Sequence, residues 1–198
     1  MRLPLRKRKS MPAEAITQPA REQVKDANRH DTFLRLIAQY DPALRRLAAG
    51  YVWHGADRED LFQEIAVGLW QAIPKFRGDA SERTWLYRIA HNIAISSSTR
   101  LHHRARREKT MPDAFDRASG GPDSEQELLR NEKRELLLEA IRGLRAVDRQ
   151  VVLLHLEGLD YSEIEEVSGL SQSAIATRLS RLRYKLRKLM QSRETREL

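Results

Sequence analysis

Two stretches of the chain carry side chains suited to holding nucleic acid. Gln172, Ser173, Thr177, Arg178 and Arg181 follow Ser171 at spacings that place them along the start of one helix. An arginine fork pairs with a guanine edge or clamps a phosphate, and a glutamine amide pairs with adenine or a phosphate. A helix N-terminus adds backbone N–H donors for an anion. Residues 178–188 carry Arg178, Arg181, Arg183, Lys185, Arg187 and Lys188 with no acid, whereas residues 157–166 carry Glu157, Asp160, Glu163, Glu165 and Glu166 with no base. That separation gives one particular helix a positive face. The second stretch interleaves Phe76, Trp85 and Tyr87 with Lys75, Arg77, Arg83 and Arg88. Unpaired bases stack on rings while cations follow phosphates, although Trp85 or Tyr87 taken alone reads better as core.

Other chemistries find no support. The six histidines form no H-E-x-x-H pattern, there is no cysteine to act as nucleophile or thiolate ligand, and no glycine-rich phosphate loop occurs. No catalytic residue, metal site or cofactor is expected. His102 and His103 read as solvated residues.

The elements that must position these side chains are helices. Leu61, Ile65, Leu69 and Ile73 recur every four residues and Pro74 stops the pattern. After the loop from Lys75 to Ala80, Ser81 is placed to cap a helix that buries Trp85 or Leu86, Ile89, Ala90 and Ile93. Arg88, His91 and Asn92 fall at or near its polar side. Further on, Ser124 with Glu127 forms a capping-box pattern. Asp148 is placed to cap a helix through Val151, Val152, Leu154 and Leu156 that Gly158 ends. Asp160 with Glu163 starts a short helix closed by Gly169, and Ser171 starts the last one, with Leu179, Leu182, Leu186 and Leu189 on one stripe. Two helices around a glycine turn, the second with a basic face, make a helix-turn-helix.

The Pro- and Gly-containing stretch 112–122 divides the chain. We expect a poorly ordered basic extension over 1–30, a domain over 31–103, a linker over 104–123, a second domain over 124–190 and a tail over 191–198. The formal charge of +8 sits mainly in residues 1–30, which hold 8 basic and 3 acidic side chains; each of the other three long segments is only +1. With 6% aromatic residues and 9 glycines the composition points away from a β-sandwich. No apolar run reaches the ~18 residues a membrane span needs, and no apolar stretch of signal-peptide length follows the basic start. The fold class expected is all-α, with two small helical domains joined by a flexible linker.

A family resemblance then adds to this reading. Asp60-Leu61-Phe62-Gln63-Glu64, Phe76-Arg77-Gly78 and the run from Arg83-Thr84-Trp85 to Ala90-His91-Asn92 resemble region two of the bacterial sigma factors, closest to the extracytoplasmic-function (ECF) group. Asp160-Tyr161-Ser162-Glu163-Ile164, through Gly169-Leu170-Ser171, to Arg178-Leu179-Ser180-Arg181 resembles their region four. The likeness covers about 31–190. It implies a non-enzymatic bacterial cytoplasmic protein that binds core RNA polymerase (β and β′ subunits), recognises and melts promoter DNA, and answers to an anti-sigma factor, with no membrane insertion. By that resemblance Asp60, Gln63 and Glu64 contact the β′ subunit. Lys75, Phe76, Arg77, Asp79, Arg83, Trp85, Arg88 and Asn92 hold the minus-ten element, with bracing of the fold as the alternative role for Arg88 and Asn92. Ser171, Gln172, Ser173, Thr177, Arg178 and Arg181 read the minus-thirty-five element, and the linker threads past the polymerase active centre.

The chain departs from the family pattern at Ala174 and Ala176, where a threonine and a lysine are common, so its reading helix has fewer polar groups. Ser96-Ser97-Ser98 replaces a more charged end of the region-two helix. Without the first-domain motifs, a helix-turn-helix regulator acting on duplex DNA without polymerase would account for the second domain equally well.

Overall fold

The structure is a computed structural model that describes the backbone of residues 18–108 and 125–194, and the side chains of residues 28–101 and 130–190. Its described residues form seven α-helices and no strand. The Ser124 cap and most of the linker lie outside them.

Helix α1 (Gln18–Tyr51) carries Leu36, Leu44, Leu47 and Tyr51 at three- and four-residue steps, and all four are buried. Its first thirteen residues fall in the stretch expected to be a poorly ordered tail. That expectation came from composition, which does not register an apolar stripe further along that nucleates a helix and lets it propagate backwards. Arg29 anchors the extended part: its guanidinium lies 4.0 Å from the Trp70 ring centroid and donates to the Trp70 carbonyl at 3.0 and 2.8 Å.

Helix α2 (Gly55–Ala72) buries Leu61, Phe62, Ile65 and Leu69, and Pro74 sits in the single 3-10 turn Ile73–Lys75 that ends it. Ser81 caps α3 (Glu82–Glu108), its Oγ accepting from the Thr84 amide at 3.0 Å. Helices α1, α2 and α3 form a bundle in which Gly68 lets α3 approach closely: a Cβ there would displace the Ile93 Cδ1 methyl of α3. Residues 104–108, expected in the linker, are the last turn of α3.

The second half comprises α4 (Glu125–Arg142), α5 (Ala146–Leu156), α6 (Tyr161–Ser168) and α7 (Gln172–Glu194). Asp160 and Glu163 form a full capping box on α6, and Gly169 closes it at φ +72°. Asp148 does not cap α5. The helix starts three residues earlier, with Arg145 at the N-cap, and Asp148 lies inside its first turn. Residues 191–194, expected in the tail, extend α7.

One continuous core runs through both halves, from Leu36, Leu47, Ile65 and Leu86 to Ile141, Leu154, Ile164 and Ile175. Gly50 at the end of α1 permits this docking, because a Cβ there would approach Leu153 Cδ2 of α5 to 2.7 Å. Buried Arg142 of α4 donates to the Ala49 carbonyl at 2.7 Å and stacks 4.7 Å from the Trp53 ring centroid. A segmental charge count treats the halves as separate bodies; apolar side chains at their meeting faces join them.

Candidate nucleic-acid and polymerase interfaces

The aromatic–basic cluster is built by a turn. Gly78 takes φ +79°, a conformation a side chain would strain, and Ser81 fixes where α3 begins. This brings the Phe76 and Trp85 rings to 4.7 Å at 40°, both half-buried, with Lys75, Arg77 and Asp79 exposed beside them. Tyr87 is instead buried under the second half. Its hydroxyl lies 3.4 Å from Glu157 Oε2, and burial raises its pKa.

Two arginines of this cluster, Arg83 and Arg88, are engaged within the chain. Arg83 donates to the Glu157 carbonyl at 2.6 Å and lies 3.7 Å from the Glu163 carboxylate. Arg88 donates to the Glu166 carbonyl at 2.8 Å. Those carbonyls belong to the ends of α5 and α6, where helical C=O groups lack intrahelical partners and attract cations. Arg46 of α1 adds a two-point contact to Glu157 at 2.8 and 2.6 Å. In this conformation two of the expected minus-ten arginines face the second half of the chain.

His91 was expected near the polar side of α3 and is fully buried. The Tyr51 hydroxyl lies 2.9 Å from its Nδ1, while Nε2 has no partner among the described residues. Burial holds its pKa down, at about 3. The ring is therefore neutral and structural, a role that a polar residue between Ala90 and Asn92 does not announce in sequence.

Asp60, Gln63 and Glu64 are exposed along one side of α2. Together with Val67 they line a shallow groove between α2 and α3, closed on the far side by Asn92, Ser96 and Arg100. Glu64 is paired there with Arg100 at 2.7 Å. Asn92, expected with the minus-ten set, thus lies in the groove of the three polymerase candidates.

The helix-turn-helix comprises α6 and α7. Ser171 starts α7, its Oγ 3.4 Å from the Ala174 amide. Gln172 donates to Glu165 of α6 at 3.0 Å, and the Thr177 hydroxyl donates to the Ser173 carbonyl at 2.9 Å. Arg178 is paired with Asp148 at 2.6 Å, whereas Arg181 is exposed. A depression on this face is lined by Arg145, Ser173, Ala174, Thr177, Arg178 and Arg181. Arg145 was missed in the sequence, since it lies 33 positions before Arg178 and only the packing of α5 on α7 brings it there.

An all-helical protein with one aromatic–basic turn and one helix-turn-helix is a nucleic-acid-binding protein of two modules. Residues 36–107 match the family model for Sigma-70 region 2, and residues 134–186 match that for Sigma-70, region 4. The chain is 31% identical to RNA polymerase sigma factor YlaC of Bacillus subtilis over 83% of this chain and 95% of that protein. It is 30% identical to the ECF RNA polymerase sigma-E factor of Escherichia coli K12, over 76% and 82%. A sigma-E factor of Haemophilus influenzae is 27% identical over 86% and 94%. Among solved structures, RpoE of Bartonella quintana, in complex with the anti-sigma factor NepR, shares the fold at a TM-score of 0.62, 21% identity and coverage of 81% of this chain and 97% of that one. The chain belongs to the ECF group of the sigma-70 family of RNA polymerase sigma factors. Its partners are those of a sigma factor, core RNA polymerase and promoter DNA. Among the described residues no helix is long and apolar enough to cross a membrane.

Proposed function

We propose that the protein is a non-enzymatic initiation factor of the bacterial cytoplasm in which each face described above has one task. The α2 side with Asp60, Gln63 and Glu64 docks on the β′ subunit. The loop with Lys75, Phe76, Arg77 and Asp79, with Trp85 of α3, holds the minus-ten element in its melted form, and Arg83 and Arg88 join it once they release the Glu157 and Glu166 carbonyls. Ser171, Gln172, Ser173, Thr177, Arg178 and Arg181 read the minus-thirty-five duplex. The Phe76–Trp85 pair beside three exposed charged residues supports this reading most directly. Duplex binding alone has no use for such rings, and a flipped or unpaired base needs a face to stack on.

An anti-sigma factor is the regulatory partner this reading assigns. Of two solved structures that share the fold, RpoE was solved with the anti-sigma factor NepR and CnrH with the cytosolic domain of CnrY. The occluding partner would cover the α2–α3 groove and keep polymerase away.

The deciding experiment mixes the purified protein with core polymerase. Run-off transcripts from a cognate promoter are expected, and failure to bind core at low salt would overturn the reading in favour of a duplex-only regulator. Arg178→Ala is expected to weaken minus-thirty-five binding and leave core affinity intact; lost core affinity would mean that the faces are misassigned.

A further inference from the structure

The reading face of α7 is poor in free polar groups. Ser171 is used as a cap and its hydroxyl lies 3.2 Å from that of Ser173, Gln172 is held by Glu165 and the Thr177 hydroxyl is turned onto its own helix, while Ala174 and Ala176 carry no polar side-chain atom. Discrimination between base pairs therefore falls on Arg178 and Arg181. The two arginines differ. Arg181 is exposed and fits a phosphate as readily as a base. Arg178 is one-third exposed and donates from Nη1 to Asp148 Oδ1 at 2.6 Å, and the Asp148 side chain is only 13% exposed. Asp148 stands in the first turn of α5, an element whose Val151 and Leu154 are fully buried, so the carboxylate is anchored.

We propose that Asp148 is a specificity-determining positioning residue: it orients the Arg178 guanidinium so that the fork is presented to base edges rather than to phosphate. The inference rests on the reading of α7 as the duplex-contacting helix. Two physical effects act in the same direction. One hydrogen bond to an anchored carboxylate fixes the long Arg178 side chain and leaves its Nε and Nη2 donors for a bidentate partner, so less rotamer freedom is lost when a guanine is met. The negative charge also opposes a phosphate at that spot, which penalises sequence-independent docking more than base reading. Arg145, on the rim of the same depression, and Arg181 remain for the backbone.

The test uses the full-length protein reconstituted with core polymerase. A library of duplexes randomised over the minus-thirty-five window is used to select the preferred sequence. Competition between that duplex and a scrambled one is then measured at several salt concentrations. For Asp148→Asn, preference should fall about five- to tenfold, part of the discrimination a bidentate pair supplies. Affinity for the scrambled duplex should hold or rise, with a log–log salt slope steeper by up to about 0.9, the value of one added phosphate contact. The bases losing preference should be those lost in Arg178→Lys, which keeps the charge without the fork, and Asp148→Glu should restore much of the preference. An unchanged preference in Asp148→Asn, or an equal loss on both duplexes with an unchanged salt slope, would overturn the proposal. If Asp148→Asn does not fold, undiminished preference in Arg178→Lys overturns it alone. A wild-type protein that binds core yet selects no sequence sinks the reading of α7 itself, and the proposal with it.

Discussion

The two modules use their arginines in opposite ways. In the helix-turn-helix, Arg181 is exposed and Arg178 is held by a neighbour within the same module, so the face presented outward is ready as it stands. In the first module Arg83 and Arg88 reach across to backbone carbonyls of α5 and α6, while Lys75, Arg77 and Asp79 face outward beside the Phe76–Trp85 pair. The histidines differ likewise. His91 of α3 is sealed in the core, while half-buried His155 of α5 lies 2.9 Å from Arg183 on α7. The difference teaches that a module's charged residues fall into reading groups and docking groups only once its neighbour is in place.

Acidification gives the largest expected effect. The His91 pKa is lowered by burial from its ordinary 6.5 to about 3. A depressed folded pKa means the unfolded chain binds the proton first, so the stability this ring contributes is complete above about pH 6.5 and is lost as pH falls toward 3. The slope is about 1.4 kcal/mol per pH unit in that window. Burial, with Arg183 second, also lowers the His155 pKa and gives the same sign. Denaturant titrations of wild type and His91→Phe at pH 7 and pH 4.5 separate the two rings. The variant should lose most of its acid sensitivity; if it does not, His155 and the carboxylates carry the effect.

Glu157→Lys tests the junction. The wild-type carboxylate is 12% exposed and receives both Arg46 nitrogens, with the Tyr87 hydroxyl at 3.4 Å, while its carbonyl receives Arg83. Reversing its charge places a cation among arginines. Arg46 is half-exposed, so the expected loss is roughly 2–3 kcal/mol, under that for a fully buried pair. A larger radius of gyration in solution scattering would accompany it. Unchanged dimensions would mean that the apolar contact around Leu153 holds the modules alone.

Trp85→Ala acts on the first module's outward face. Stacking is worth about 1–3 kcal/mol per base, so open-complex formation should fall about ten- to hundredfold, with duplex minus-thirty-five affinity unchanged. Permanganate footprinting of the melted region reads the first quantity and a binding assay the second. Equal loss in both would show that Trp85 only supports the fold.

Much of this was legible because it is local. Pro74, Ser81, the Asp160–Glu163 box and Gly169 act over three or four residues, and each governs the boundary assigned to it. What was illegible is long-range. Arg83 meets Glu157, and Arg145 comes to the same depression as Arg178, only through packing, and Arg29 of α1 finds Trp70 across the bundle. Asp148 shows the limit most plainly. A helix-starting aspartate is a sound cap by type, yet here the chain begins α5 three residues earlier and the carboxylate is free to take Arg178. Propensity states what a residue can do locally, and tertiary partners decide which option is used.

The smallest effect belongs to the element between the two groups. The Glu163 amide donates to Asp160 Oδ1 at 2.8 Å, and the Asp160 amide donates to Glu163 Oε2 at 3.0 Å. Asp160→Ala removes the first bond and a negative charge at the N-terminus of α6, an eight-residue helix with few other means of holding its first turn. A lost cap costs about 1 kcal/mol, or about 2–4 °C in Tm for a chain of this size. Glu163→Ala removes the reciprocal bond and also the distant Arg83 contact at 3.7 Å. If junction contacts matter beyond capping, Glu163→Ala should destabilise more than Asp160→Ala and should lose that excess in an Arg83→Ala background. Additivity in that double-mutant cycle would show that α6 is held by its own cap and core, and that Arg83 relies on the Glu157 carbonyl alone.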